Sequence, residues 1–146
     1  MLYVIKDLDD PLVDYLKDDP VRPHIPVTER VGPNRHVFVL TEHDKVKAIV
    51  CAKLCATIPS NENELLSDIN DKPMAAIFYT IWSYEPGSGQ QLIREGVKHI
   101  KSNMPDIKRF VTLSPTTEMA RKFHIRNGAV IFRVNLETIN YEYTNI

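Results

Sequence analysis

Residues 74–96, MAAIFYTIWSYEPGSGQQLIREG, decide the fold of this chain. Residues 74–83 are almost all apolar or aromatic, a composition typical of a central strand that is covered on both faces. Gly87 and Gly89 interrupt this run, and over residues 90–103 apolar side chains return at helical spacing. The segment therefore predicts a buried strand, a glycine turn and a helix, in that order.

The rest of the chain supplies further strands and helices around this unit. Apolar, β-branched runs predict strands over residues 2–6, 36–40, 46–58, 108–113, 129–134 and 139–143. Helical spacing and capping residues predict helices over residues 11–17, 64–69 and 117–127, and four prolines make residues 20–33 an irregular connection. This order of elements predicts an α/β (α+β) domain, in which helices pack on a mixed sheet of six or seven strands.

The composition is that of one globular domain over residues 1–146. With 43% apolar and 25% charged residues, the chain is long enough to bury a core. Its net charge of -1 argues against a protein that coats nucleic acid or an anionic membrane. Residues 90–126 nevertheless hold eight Lys or Arg against three acidic residues. This local excess suits a compact polyanionic ligand, although a solvated basic surface would give the same count.

Cysteine usage and hydropathy predict a cytoplasmic protein. The N-terminus has no basic start followed by an apolar run, and no stretch approaches the ~20 apolar residues that cross a bilayer. Cys51 and Cys55 fall on one predicted strand, roughly 13 Å apart, which is too far for a disulfide and fits a reducing compartment. Two cysteines and scattered histidines form no metal-ligand pattern, so we expect no metal.

The glycine turn is a candidate phosphate site. A strand that runs through Gly87-Ser88-Gly89 into a helix leaves free backbone N–H groups at the positive end of the helix dipole, where phosphate binds well. The P-loop ending is missing, and so is the third glycine of the dinucleotide fingerprint. A tight strand-to-helix turn with no ligand would have the same residues.

Two stretches have the spacing and order of motifs in the GNAT superfamily of coenzyme A-dependent acyltransferases. They are Gly87-x-Gly89-x-x-Leu92-Ile93 and Ala120-x-x-Phe123-His124-x-x-x-Gly128-Ala129. The resemblance implies a mostly antiparallel sheet with helices on both faces and a central strand that splays from its neighbour. It also implies a coenzyme A thioester as substrate, bound by the strand end and the turn. The binding residues would be Ile81, Trp82, Ser83, Gly87, Ser88, Gly89, Gln90 and Gln91.

A narrower resemblance is to the catalytic domain of malonyl-CoA decarboxylase, over roughly residues 36–135. Its A-I-F-Y-S-I, G-N-F-L-I-K, F-x-T-L-S-P and F-H-x-x-N-G-A segments are similar to segments that begin at Ala76, Gly89, Phe110 and Phe123. The resemblance implies that Ser114 and His124 are the catalytic pair. The chain departs from that family in the residues after Ser114-Pro115 and at Cys51, which replaces an expected acidic residue.

These residues support three functional hypotheses. In the first, backbone N–H groups near residues 81–83 stabilise an enolate of malonyl-CoA, His124 supplies the proton, and Ser114 binds the carboxylate or orients His124. In the second, His124 is the general acid of an N-acetyltransferase that uses an amine acceptor. In the third, the chain binds acyl-CoA without turnover. Partners other than acyl-CoA and an amine are not predicted, and the oligomeric state is left open.

Overall fold

The computed structural model describes residues 1–67 and 71–146, which form an eight-stranded sheet with three α-helices and two 3₁₀ helices. The strands are β1 (Leu2–Ile5), β2 (Arg35–Glu42), β3 (Lys45–Cys55), β4 (Ala75–Ser83), β5 (Arg109–Thr112), β6 (Ser114–Pro115), β7 (Val130–Val134) and β8 (Thr138–Glu142). The α-helices are α1 (Glu62–Leu66), α2 (Ser88–Asn103) and α3 (Glu118–Arg126), and the 3₁₀ helices span Pro11–Asp18 and Val27–Glu29.

The sheet is mixed and mostly antiparallel, as predicted. Its strand order is β1-β2-β3-β4-β5-β8-β6, and β7 pairs with β8. Among the pairs that the structure describes, β4 and β5 alone are parallel, because α2 carries the chain back between them. The strand count exceeds the predicted six or seven because Ser114–Pro115 forms a separate strand. Two residues are too few to carry a strand pattern in sequence.

The helices cover both faces of the sheet, which the resemblance also implied. On the first face, α2 packs Leu92, Ile93, Val97 and Ile100 against Phe38, Phe78 and Phe110 of the strands, and Phe123 of α3 joins this cluster. On the second face, Leu16 of the first 3₁₀ helix and Leu65 of α1 pack against a separate set of strand residues that includes Ile77 and Trp82. Alternate residues of one strand therefore enter different cores, as strand geometry requires.

The central strand β4 separates from β5 halfway along its length. Register pairs run from Ala75 with Arg109 to Phe78 with Thr112, and the last rung is the bond from the Leu113 N–H to the Phe78 carbonyl, 3.1 Å. Beyond this point β4 continues to Ser83 on β3 alone. We call this gap between β4 and β5 the split.

A β-bulge lies at the start of the split. Cys51 of β3 pairs with Thr80, whereas the next residue of β3 pairs with Phe78, so Tyr79 has no partner in the register. The extra residue bends β4 away from β5, which is the usual effect of a bulge. The splayed central strand is thus confirmed.

Helix boundaries differ slightly from those predicted. Helix α2 begins at Ser88 rather than at Gln90, and Ser88 and Gly89 lie buried in its first turn. The helix predicted over residues 64–69 is observed as Glu62–Leu66, and residues 68 and 69 lie outside the described residues. Within the described residues, no helix is both long and apolar enough to span a membrane.

Candidate functional site

Gly87 gives the turn between β4 and α2 its shape. It is the N-cap of α2 and has a φ of 81°, in the left-handed region that glycine adopts without strain. No atom lies within 4 Å of the position that a Cβ would take, so the space beside the turn is open. The Ser88 hydroxyl lies 3.0 Å from the Lys47 carbonyl and 2.5 Å from the Glu85 carbonyl, which ties the turn to β3.

The first turn of α2 presents unused backbone donors. Among the described residues, no acceptor bonds to the amides of Gly89 and Gln90, and the Gln91 amide makes only a long bond of 3.5 Å to the Gly87 carbonyl. These groups lie at the positive end of a 16-residue helix. The Gln90 side chain is half-buried in this turn, and the exposed Gln91 side chain donates to Glu95.

Gly89 fixes the position of α3 beside this turn. A Cβ at Gly89 would lie 3.2 Å from two carbons of the Phe123 ring, so any larger residue would require the ring to shift by a few tenths of an ångström. His124 follows Phe123 directly, and its ring centroid is 5.1 Å from that of Phe123. The contact therefore brings the turn of α3 that carries His124 next to the amides that open α2.

His124 is buried between aromatic rings, and among the described residues its ring has one hydrogen-bond partner. Its Nδ1 lies 2.7 Å from the Tyr143 hydroxyl, and its ring stacks on Tyr141 with 5.1 Å between centroids. Burial lowers the pKa of His124 to about 4 and raises the pKa of Tyr143, so both side chains are neutral at pH 7. Tyr143 also lines a surface cleft of about 400 Å³ between Arg94 and Asn127.

Ser114 lies on the same side of the sheet but is not bonded to His124. Its hydroxyl donates to Thr112 Oγ1 at 2.7 Å, and Thr112 Oγ1 also accepts the Tyr141 N–H at 3.0 Å. Tyr141 in turn stacks on His124, so the two predicted residues are linked through Thr112 and Tyr141. Among the described residues, no hydrogen bond joins Ser114 directly to His124. Both side chains are buried, with 4% of each residue exposed.

The alternation of backbone groups along a strand indicates which N–H groups of residues 81–83, predicted to bind the thioester, face the split. The Tyr84 N–H donates to the Lys47 carbonyl on the β3 side. Because N–H groups alternate along a strand, that of Trp82 also faces β3, whereas those of Ile81 and Ser83 face the split. The Trp82 side chain packs in the second-face core and donates to Tyr84. The structure thus brings Ile81 and Ser83 to the split and places the Trp82 side chain away from α2.

Two functional candidates were missed by the sequence analysis. Tyr143 is the partner of His124, and alternation of Tyr141 and Tyr143 in the strand predicted over residues 139–143, which puts both rings on one face, is the signal that could have identified it. Arg22 inserts its guanidinium at the split, 57 residues from its partner Tyr79. No local sequence pattern predicts that contact, because the composition of residues 20–33 indicates only a proline-rich connection.

Solved structures match this chain, whereas no family model does and no curated protein matches its sequence. Malonyl-CoA decarboxylase from Rhodopseudomonas palustris matches with a TM-score of 0.78 at 18% identity, over 99% of this chain and 60% of that one. Malonyl-CoA decarboxylase from Agrobacterium vitis matches with a TM-score of 0.69 at 25% identity, over 86% of this chain and 36% of that one. The chain thus spans less than two thirds of either decarboxylase.

Acetyltransferase-like structures match over their whole length. NAA60 from Arabidopsis thaliana, solved in complex with acetyl-CoA, has a TM-score of 0.55 at 14% identity, with 98% of both chains covered. Similarity at this level of identity concerns the backbone fold alone. The chain therefore has the fold that malonyl-CoA decarboxylases share with GNAT acetyltransferases.

Proposed function

We propose that this chain binds an acyl-CoA and acts on its thioester in the manner of a malonyl-CoA decarboxylase, through Ser114 and His124. The observation that supports the proposal is the contact between Gly89 and Phe123, the residue before His124, because it packs α3 on the side of the sheet where the unused amides of α2 begin that helix. A phosphate group and a reactive thioester lie at opposite ends of the pantetheine arm. The proposal therefore requires an anion site and a reactive group on one side of the sheet.

The turn fits the diphosphate of coenzyme A. The amides of Gly89 and Gln90 supply two donors at a helix N-terminus, and the left-handed Gly87 leaves room for oxygen atoms. From there the pantetheine arm would follow the free edge of β4 into the split. The N–H groups of Ile81 and Ser83 face that edge and would bind the amide groups or the thioester carbonyl oxygen.

Decarboxylation needs one negative charge to be stabilised and one proton to be delivered. The bond between the carboxylate carbon and Cα breaks, CO₂ leaves, and the electron pair moves to the thioester oxygen as an enolate. Backbone donors aimed at such an oxygen typically contribute about 3 kcal/mol each to the lowering of the barrier. Protonation of Cα then gives acetyl-CoA, and a positioned acid accelerates such a transfer about 10²–10⁴-fold.

His124 is the proposed proton donor. Burial keeps its ring neutral in the free protein, so the proton that it delivers to Cα must first come from solvent; an enolate formed nearby favours the protonated imidazole and opposes the effect of burial. The Tyr143 hydroxyl on Nδ1 holds the ring in place and connects it to the cleft beside Arg94. Ser114 would contribute its hydroxyl to the substrate carboxylate once that hydroxyl turns away from Thr112.

A second candidate is transfer of an acetyl group to an amine. It is supported by the comparison with NAA60, which was solved in complex with acetyl-CoA and matches this chain with a TM-score of 0.55. In this reaction the thioester carbon bonds to the amine nitrogen and the C–S bond breaks; the nitrogen loses its extra proton to water, and His124, protonated from solvent, protonates the departing thiolate.

The experiment follows malonyl-CoA and free thiol after incubation with the purified protein. The first function predicts acetyl-CoA without any added acceptor, and its loss in His124→Gln but not in His43→Asn, which changes an exposed residue of the β2–β3 hairpin. Thiol release that depends on an added amine would instead establish the second function. If coenzyme A and its thioesters leave the melting temperature unchanged at high excess, both functions are excluded.

A further inference from the structure

The segment of residues 19–31 closes the second face of the split. Its sequence predicts only an irregular, proline-rich connection. In the structure, a fully buried ion pair holds the segment in place. Arg30 Nη1 donates to Asp19 Oδ2 at 2.8 Å, and the exposed fractions of the two residues are 0% and 2%. Arg30 also donates to the carbonyls of Ile25 and Arg22, at 3.1 and 2.6 Å. The segment therefore has a defined backbone against the sheet.

Arg22 extends from this segment between the two diverging strands. Its Nη1 donates to the Tyr79 carbonyl of β4, and its Nη2 donates to the Leu113 carbonyl at 3.0 Å. Its Nε pairs with Glu62 at 3.3 Å. The guanidinium is thus the next connection between the strands after the rung from Leu113 to Phe78.

This connection has a simple physical reason. A rung of a parallel pair needs an N–H opposite each carbonyl, but the bulge at Tyr79 and the end of β5 leave the carbonyls of Tyr79 and Leu113 without strand donors. A planar guanidinium supplies two parallel donors at a fixed separation. Arg22 therefore satisfies both carbonyls and sets the width of the split where the strands part.

We propose that Arg22 is a positioning residue for the reaction at the split, an inference that rests on the proposed function. On one side it holds the peptide plane between Leu113 and Ser114, because the carbonyl and the following N–H share a rigid plane. On the other side it holds Tyr79, two residues before Ile81, whose N–H faces the split. The Arg22 guanidinium thus bonds to both strands that border the proposed reaction site.

The charge of Arg22 acts in the same direction as its geometry. Only 5% of the residue is exposed, and desolvation lowers its pKa, but arginine stays protonated in proteins. Two acids raise the pKa of Arg22: Glu62 keeps a third of its side chain in solvent, and Asp19 is already paired with Arg30, so neither fully compensates the guanidinium. Negative charge that develops on a thioester oxygen in the split is therefore stabilised by a fixed cation.

The test compares Arg22→Met and Arg22→Lys with a matched control, Lys53→Met. Lys53 is also a buried cation on two carbonyls, those of Leu65 at 2.6 Å and Ser67 at 3.1 Å, but it lies outside the split. Three quantities are measured for each variant: hydrogen exchange of peptides that cover residues 76–84 and 110–116, the dissociation constant for coenzyme A, and kcat and KM for malonyl-CoA.

We expect Arg22→Met to exchange faster in both peptides and to lose between about tenfold and 10²-fold in kcat, while coenzyme A affinity stays near that of the unchanged protein. Arg22→Lys keeps the charge and should recover part of kcat, and Lys53→Met should change neither the two peptides nor kcat. Unchanged exchange in both peptides, or equal losses in Arg22→Met and Lys53→Met, overturns the role of Arg22. If the protein without any substitution does not turn over malonyl-CoA, the proposed function is wrong. The hydrogen-exchange data then still test whether Arg22 holds the two strands of the split.

Discussion

Gly89 of α2 lies directly against the ring of Phe123 in α3, so closely that a single Cβ would come within 3.2 Å of two ring carbons. The two helices start at the same end of the sheet, because each follows a strand on either side of the split. Gly89 and Gln90 are also the residues at the α2 N-terminus whose amides bond to no acceptor in the described part of the chain. Gly89 thus lets α3 pack closely against α2 and also contributes one of the backbone N–H groups of the proposed phosphate site.

Substitution of Gly89 should destabilise the protein, although alanine is the better helix former. The Cβ of Gly89→Ala would push Phe123 outward, and overpacking of this kind costs about 1–3 kcal/mol, against a propensity gain of about 1 kcal/mol. Gly96→Ala in the same helix is the matched control, because its Cβ would meet Phe38 at an ordinary 3.7 Å. That change should raise the free energy of unfolding by about 0.5–1 kcal/mol.

Urea unfolding of both variants, followed by circular dichroism, tests the pair. Equal effects of the two substitutions would mean that Phe123 yields without cost. Adding Phe123→Leu to Gly89→Ala should restore part of the lost stability, since a smaller side chain leaves room for the new methyl group.

The helix that carries His124 could be predicted from sequence because its determinants are local. Thr117 caps α3 through the Ala120 amide, and Asn127 with the left-handed Gly128 ends it. The unit of β4, turn and α2 was predictable for the same reason, since hydrophobic periodicity and glycines lie within one stretch. His124 was therefore placed on the correct element before any contact was known.

The buried position of residues 19–31 could not be predicted from the sequence. Asp19 belongs to an acidic N-terminal stretch, and Arg22 and Arg30 lie among prolines, so all three have the composition of a solvated loop. In the folded chain they are buried because their partners come from elsewhere: Arg22 bonds to carbonyls 57 and 91 residues away. Periodicity and capping rules cannot detect such long-range polar contacts.

The two tyrosines that contact His124 should respond differently to loss of the hydroxyl. In Tyr143→Phe the Nδ1 of His124 loses its partner in a buried setting, at a cost of about 1–2 kcal/mol in the free energy of unfolding. The Tyr141 hydroxyl is buried and has no partner among the described residues, so Tyr141→Phe should be neutral or stabilising by up to about 1 kcal/mol. Chemical denaturation of both single variants measures the difference, and a larger loss in Tyr141→Phe would contradict the observed bonding.

Acid should destabilise the protein through His124. The unfolded pKa of histidine is about 6.5, and burial lowers the folded pKa to about 4. Below pH 6.5 the unfolded chain therefore binds a proton that the folded chain does not, and stability falls as the pH falls towards 4. The full difference corresponds to about 3 kcal/mol.

His124→Asn removes this titration and should flatten the slope of unfolding free energy between pH 6.5 and pH 4. The control is His43→Asn, an exposed position in the hairpin turn with a left-handed φ of 52° that asparagine tolerates. Denaturant melts at four or five pH values provide the slopes. If the unchanged protein and His124→Asn have the same slope, the ring is already charged or exposed in the folded state.

The buried pair of Asp19 and Arg30 should show strong coupling. Arg30→Met leaves the Asp19 carboxylate buried, with the N–H groups of Val21 and Arg22 as its remaining partners, and breaking such a pair costs about 3–5 kcal/mol. In Asp19→Asn combined with Arg30→Met the uncompensated charge is gone, so the double variant should be more stable than the sum of the single changes by about 1–3 kcal/mol. Trp82 is the single tryptophan of the chain and packs in the same second-face core, so its fluorescence reports unfolding there directly. Additive losses would show that the two charges are solvated separately, and segment 19–31 would then lack the fixed position that Arg22 needs to reach the split.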